Sequence, residues 1–391
     1  MTSRLYYDDS YVTSFDSRVI DRADSGRRVY LAETAFYPTS GGQPHDIGTL
    51  GGAAVVDVVD EGDRIAHVLD APLATGAEMV HGVVDWPRRF DLMQQHTGQH
   101  LLSAVFAELF GHRTVSVHFG VDSSSLDLDV ESLSRERVVQ AEERANAIVF
   151  EDRPVTVSFE DAAEAAGLRK ESTRAGLLRI VSIADLDRSA CGGTHVRSTG
   201  AIGAILIRKI ERVRKSARVE FVCGGSAVRR ARADFAALAS VAGVMSASLD
   251  EAPSLVAAQV EQLRTVDNER RRLERELAAY RARALYEEAR PDQTGVRRVL
   301  VRRDSGAIDE LRGLAQAFAL LPKAVFTGAL VSPPSVLLAA SDDSGVDAAR
   351  ALREALNAAG GRGGGSARMA QGSVPDADRL RAVVETIHGG A

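Results

Sequence analysis

A chain of 391 residues, 45% hydrophobic and 26% charged, holds enough material for two or three domains with proper cores. A net charge of -6 excludes a wholesale polyanion binder, while a local basic face stays compatible with it. Two cysteines exclude a disulfide scaffold and point to a reducing cytoplasm; no signal-peptide pattern opens the chain, and no apolar run approaches the roughly 20 residues of a membrane span.

Taken in order, residues 1–88 read as β-rich. Short strands at 29–32 and 53–59 flank Phe36-Tyr37-Pro38-Thr39-Ser40-Gly41-Gly42-Gln43-Pro44, a stretch dense in turn residues. Strands spaced this closely predict a small barrel. From Arg88 to Phe110, Phe90, Met93, Leu101, Leu102, Val105, Phe106 and Leu109 recur at helical spacing, with Gly111 as the stop. Strands are expected at 115–119, 123–130, 154–159, 178–184, 203–210 and 218–223, with a helix at 132–149. Strands and helices that alternate without regular βαβ units predict an α+β domain over 89–225. Residues 226–296 read as a helical spacer and linker, with Leu263, Val266, Leu273, Leu277 and Tyr280 near heptad spacing. Residues 297–391 form a small α/β domain: strands at 298–301, 324–327 and 335–340, helices at 308–319, 347–358 and 376–388, and a Gly-rich loop at 360–365. The fold class expected for the chain as a whole is α+β, closed by this small α/β domain.

His96 and His100 stand four residues apart on one helix face, with Cβ atoms about 5–6 Å apart. Cys191 and His195 repeat the spacing around Gly192 and Gly193, whose missing Cβ atoms let groups crowd a small centre. Either pair alone is weak, since two surface histidines, or a buried cysteine beside a loop histidine, give the same pattern. Together they supply three imidazoles and one sulfur, a set that suits one zinc ion. Four ligands would close a structural site and three would leave a position for water or substrate; spacing leaves both open. His118 alternates with apolar neighbours and is a further candidate for the same cleft. His45, His67, His81, His112 and His388 read as surface or turn residues, and Cys223 as a small core residue. Between Arg208 and Arg218 six cations (Arg208, Lys209, Arg212, Arg214, Lys215, Arg218) meet one carboxylate, a lopsided run that predicts phosphate contacts.

These motifs resemble the editing domain of alanyl-tRNA synthetase and its free-standing AlaX relatives. Residues 36–48 are similar to the family's glycine loop in the N-terminal barrel. Residues 95–102 and 189–196 are similar to its two metal-binding motifs, and 218–224 to the strand that closes its editing domain. Threonyl-tRNA synthetase editing domains share the paired histidine and cysteine motifs; the barrel loop favours the alanyl side. Residues 360–372 are similar to the glycine-rich segment ending the synthetase's C-terminal domain, which binds tRNA or dimerises. The synthetase carries a large aminoacylation domain ahead of this region, whereas this chain starts inside the editing barrel. The expectation is therefore the long free-standing form, which deacylates tRNA without charging it.

The resemblance implies zinc on His96, His100, Cys191 and His195, and mischarged Ser-tRNA(Ala), with Gly-tRNA(Ala) beside it, as substrate. The metal would polarise the ester, activate water, or only anchor the substrate. Thr34, in the family's Thr-x-Phe-Tyr-Pro pattern, is the candidate reader of the seryl hydroxyl, against an ordinary strand threonine. Such a hydrogen-bonding pocket rejects alanine by leaving a polar group unpaired. Gly41 and Gly42 let the backbone approach the substrate, and Gln43 is placed to orient water. A tRNA partner and a homodimer through the spacer and C-terminal domain complete the reading. Two alternatives remain: a non-catalytic nucleic-acid-binding protein with structural zinc, and an editing factor for another aminoacyl-tRNA such as Ser-tRNA(Thr).

Overall fold

The structure, a computed structural model, describes residues 1–120, 122–171 and 175–389. It divides into two units, Met1–Ser240 and Val241–Ala391. Among the described residues no helix is long and apolar enough to cross a membrane.

Beside a short parallel pair, Ser3–Arg4 with Glu33–Thr34, the first unit begins with six barrel strands: β1 (Ser14–Ala23), β2 (Arg28–Leu31), β3 (Gly48–Leu50), β4 (Ala53–Asp60), β5 (Ile65–Leu69) and β6 (Met79–Val84). They close in the order β1-β2-β5-β4-β3-β6, with β6 pairing back onto β1. Phe15, Val29, Leu31, Phe36, Leu50, Val55, Ile65 and Leu69 fill the interior. This is the small N-terminal barrel expected. Its longest strand, β1, went unpredicted: Ser14-Phe15-Asp16-Ser17 alternates polar and buried positions, but its buried face is too sparse in large apolar residues to stand out.

Helix α1 (Trp86–Phe110) follows. Asp85 caps it by accepting from the Arg88 N–H at 3.0 Å, Pro87 sits in its first turn, and Gly111 ends it in the left-handed conformation. Every residue from Leu92 to Phe106 is buried, so α1 is the hub of the unit. It packs with helix α2 (Arg135–Phe150) against two sheets. One is β12-β13-β8-β7, from β7 (Thr114–Phe119), β8 (Ser124–Leu128), β12 (Ile205–Val213) and β13 (Ser216–Cys223). The other is β9-β10-β11, from β9 (Val155–Asp161), β10 (Leu177–Ile183) and β11 (Asp187–Ala190). Leu101, Leu102, Phe106, Leu126, Ile148, Val219 and Phe221 form the shared core.

A buried ion pair ties barrel to helix. Arg89, fully buried, donates Nε to Asp46 Oδ1 at 2.9 Å and Nη1 to the Ser10 carbonyl at 2.7 Å. Asp46 also accepts from the Tyr37 N–H at 2.6 Å, which fixes the glycine loop against α1. Arg89→Leu would leave the Asp46 charge buried alone. It is expected to cost about 3–5 kcal/mol in denaturant unfolding; a loss under about 1 kcal/mol would remove the pair from the account of how the loop is held.

Helix α3 (Gly224–Val244) leads out of the first unit. The second holds the long helix α4 (Ala252–Glu288) and a five-stranded sheet, β14-β15-β16-β18-β17. Its strands are β14 (Arg297–Ser305), β15 (Ala324–Ser332), β16 (Ser335–Ala340), β17 (Arg362–Gly365) and β18 (Met369–Ser373). Only β14 and β15 run parallel. Helices α5 (Arg312–Phe318), α6 (Ala348–Ala358) and α7 (Ala377–Gly389) complete the α/β layer. The glycine run expected as a loop is in fact edge strand β17. A Cβ on Gly363 would stand 2.5 Å from both the Gln371 carbonyl and Leu356 Cδ1, so glycine lets the edge close onto β18 and α6.

Candidate metal centre and its cleft

His96, His100, Cys191 and His195 converge. Their ligand atoms all lie within 4.8 Å of one another. Helix α1 presents the two histidines from its buried middle. Cys191 follows the end of β11, and His195 stands in the turn beyond it. The three imidazoles are 4% exposed, and Cys191 is half-buried at the base of a cleft of about 730 Å³. Cys191 Sγ is 3.4 Å from both His96 Nε2 and His195 Nε2.

Each imidazole has its other nitrogen engaged. His96 Nδ1 meets Gln43 Oε1 at 2.8 Å, His100 Nδ1 meets Asp187 Oδ2 at 3.0 Å, and His195 Nδ1 meets Thr97 Oγ1 at 3.1 Å. All three rings therefore turn Nε2 inward, the arrangement that orients histidine ligands around a metal. Burial opposes ionisation of the Cys191 thiol, yet the facing His96 and His195 rings pull its pKa well below the usual thiol range. Burial also pushes His195 down, toward the neutral form a ligand needs. His100 goes the other way: burial opposes its charge, but Asp187 and Cys191 beside it raise it to about 9, so a metal must displace its proton. Donor type and inward geometry fit a metal ion.

Gly193 is required here. A Cβ on it would lie 2.2 Å from His96 Cε1 and 3.0 Å from Gln43 Oε1. Gln43 is fully buried, and its amide is spent on His96, on the Thr194 hydroxyl at 2.8 Å and on the Thr194 N–H at 3.2 Å. Its place is thus behind the His96 ring rather than at the cleft surface. Gly41 lines the cleft, and Gly42 rests against Phe119 on β7.

Thr34 lies elsewhere. It is fully buried in the barrel unit and outside the cleft lining. Its hydroxyl meets His67 Nε2 at 2.8 Å and accepts from the Phe36 N–H at 3.1 Å. His67, expected at the surface, is fully buried; burial pushes it down to about 4 against a bond with the Val29 carbonyl, so it stays neutral. A histidine among apolar neighbours gave no sign of the threonine that would satisfy it. His118 is exposed and does not line the cleft.

The basic run occupies the β12–β13 hairpin. Arg208 pairs with Asp234, Lys209 with Glu211, Arg212 with Glu131 at 2.6 Å and Arg218 with Asp127 at 2.7 Å. Among the described residues no carboxylate pairs with Arg214 or Lys215, which form the turn. The cleft is lined by β7, and β12 is the opposite edge of that sheet, three strands or about 14 Å away.

Three polar residues at the centre escaped the sequence reading. Asp187 accepts from His100, from Arg169 Nε at 2.7 Å and from the Ser189 hydroxyl at 2.9 Å. Strand periodicity offered a signal for it, since Asp187, Ser189 and Cys191 alternate onto one face. Thr97 sat inside the motif unremarked. Arg179 comes from β10, and only strand pairing brings it beside Cys191. Asp187→Asn is expected to weaken metal retention about 10- to 100-fold in a chelator competition. Unchanged affinity would show that His100 needs no carboxylate behind it.

Comparison with known proteins gives the centre its context. Residues 178–218 match the threonyl and alanyl tRNA synthetase second additional domain, and 327–389 match the DHHA1 domain. The chain is 32% identical over 392 residues to the alanyl-tRNA editing protein AlaX-L of Pyrococcus horikoshii, covering 96% of this chain and 95% of that one. This chain belongs to the AlaX-L family. It is also 33% identical over 398 residues to the alanine–tRNA ligase of Methanoregula boonei, covering 97% of this chain but 42% of that protein. The chain thus spans less than half the length of the alanine–tRNA ligases it matches. The crystal structure of the C-Ala domain from Aquifex aeolicus alanyl-tRNA synthetase is similar at 23% identity, over 24% of this chain and 89% of that chain, with a TM-score of 0.23.

Proposed function

We propose that this chain is an aminoacyl-tRNA deacylase that removes serine, and glycine beside it, from mischarged tRNA(Ala), with one zinc ion held by His96, His100, Cys191 and His195. The observation that carries this reading is the convergence of four ligand atoms within 4.8 Å at the base of a cleft large enough for a small ligand. The nearly full-length match to an alanyl-tRNA editing protein supports it.

When bound, zinc would supply Lewis acidity toward an ester carbonyl or a water. The chain's own residues do the positioning. The Gln43 oxygen and the Asp187 carboxylate accept from Nδ1 of His96 and His100, and the Thr97 hydroxyl meets Nδ1 of His195, so all three rings are held with Nε2 turned inward. Arg179 clamps the Cys191 and Gly193 carbonyls at 2.8 and 3.0 Å, which fixes the turn that carries the sulfur. For Thr34 to read a seryl hydroxyl, its bond to His67 must open. Arg214 and Lys215, at the hairpin turn, would meet phosphates away from the reacting end. On α4, Leu263, Val266, Leu273, Leu277 and Tyr280 are about half or more exposed at heptad spacing, a stripe suited to a second copy in a homodimer.

Four protein ligands also suit a closed structural site, so a non-catalytic RNA-binding role is the second reading. The deciding experiment is deacylation of Ser-, Gly- and Ala-tRNA(Ala). Turnover of the seryl and glycyl esters with the alanyl ester spared is expected. No turnover of any ester would leave the second reading, and equal turnover of Ala-tRNA(Ala) would remove editing selectivity. Thr34→Val run alongside is expected to lower the serine-over-alanine ratio; an unchanged ratio would leave Thr34 a barrel residue.

A further inference from the structure

Among the described residues four buried side-chain polar atoms lack a partner: Tyr6 Oη, Arg179 Nη2, Thr327 Oγ1 and His388 Nδ1. Only Arg179 lines the cleft above the metal centre, and only Arg179 carries a permanent charge. It is 8% exposed. Its other donors go to main-chain carbonyls: Nε to Tyr7 at 2.9 Å, and Nη1 to Cys191 at 2.8 Å and Gly193 at 3.0 Å. Among the described residues no carboxylate pairs with it. A buried cation with neutral partners and one idle N–H pair is held at a cost that an incoming anion removes.

The chemistry of the bound molecule selects the anion. This step rests on the deacylase reading, in which the ligand is an RNA 3′ end bearing an aminoacyl ester. Its amino acid carries an ammonium group and its ester is neutral. Its only formal negative charges are phosphodiesters. We propose that Arg179 Nη2 binds a non-bridging oxygen of the last phosphodiester of the RNA. The guanidinium is planar, so Nη1 grips the Cys191 turn while Nη2 grips the phosphate, and the ester is set at a fixed offset from the metal ligands. Tyr7 covers the guanidinium, with its ring centroid 5.5 Å from Cζ, and lines the same cleft. Half-buried on the single helical turn Leu5–Asp8, it is the side chain that turns aside as the phosphate enters. Tyr7 Oη accepts from Arg4 Nη1 at 3.1 Å and keeps its own proton to donate, which makes it the rival phosphate donor.

The test uses the full chain and an uncharged RNA minihelix copying the acceptor stem and its single-stranded 3′ end. Two forms are compared, one native and one with a neutral methylphosphonate at the last linkage. Wild type is expected to bind the native form about ten-fold more tightly. Arg179→Gln is expected to bind both equally. The ratio is taken within one variant, so any general loosening of the Cys191 turn cancels, and metal content is read beside it. Should Arg179→Gln fail to fold, Arg179→Lys is expected to show at most one-third of the wild-type ratio. Tyr7→Phe is expected to keep the full ratio. Wild-type indifference to the methylphosphonate, a ratio that survives in Arg179→Gln or Arg179→Lys, or its loss in Tyr7→Phe would overturn the assignment. A wild type that hydrolyses a seryl minihelix yet ignores the methylphosphonate sinks the Arg179 contact alone. A wild type that neither hydrolyses nor binds the minihelix sinks the deacylase reading and this contact together.

Discussion

Cys191→Ala is expected to abolish stoichiometric metal binding and to lower seryl ester hydrolysis by roughly 100-fold or more. The reason is charge as much as ligand number. Cys191 is the only anionic donor among the four and the one half-open to the cleft. Without it, three buried imidazoles would have to bind a dication with no negative charge in direct contact. The cores of the first unit draw on neither Cys191 nor its turn. The variant should therefore keep its secondary structure while losing the metal, as measured by elemental analysis and circular dichroism on one sample. Wild-type metal content in Cys191→Ala would show that the convergence of these four groups has another purpose.

Gly193→Ala is expected to do comparable damage by adding one methyl group. Its Cβ would enter the space of His96 Cε1 and Nδ1, at 2.2 and 2.4 Å, and would approach Gln43 Oε1. Neither neighbour can yield, since His96 Nδ1 is bonded to Gln43 and Gln43 to Thr194. Overpacking of this kind costs about 1–3 kcal/mol. The larger effect falls on function: the His96 ring swings off the centre, metal affinity drops about 100-fold and hydrolysis drops with it. Full metal affinity in Gly193→Ala would mean that the turn is freer than its hydrogen bonds imply.

The sequence exposed the centre because metal ligands are chemically rare and stand at fixed spacing. It exposed α1 because Phe90, Met93, Leu101, Leu102, Val105 and Phe106 recur at helical spacing, although the middle of the helix is buried on every side. What it hid shares one cause, which is dependence on tertiary pairing. Arg179 lies twelve residues before Cys191 and reaches its carbonyl only through the β10–β11 pairing. Thr34 and His67 meet across the barrel interior. Gln43 carried the right motif, but its direction depended on the Arg89 and Asp46 pair that seats the loop on α1. The glycines at 363–365 read as a loop because glycine favours turns; close approach of Leu356 and β18 makes them a strand.

The placement of Gln43 also decides what counts as a portable unit. A fragment cut after residue 88 would retain all four donors on α1 and the cysteine turn. It would still lack the amide that orients His96 and the carboxylate that neutralises Arg89. Grafting this centre onto another scaffold therefore means moving the barrel with it, however small its share of the ligands.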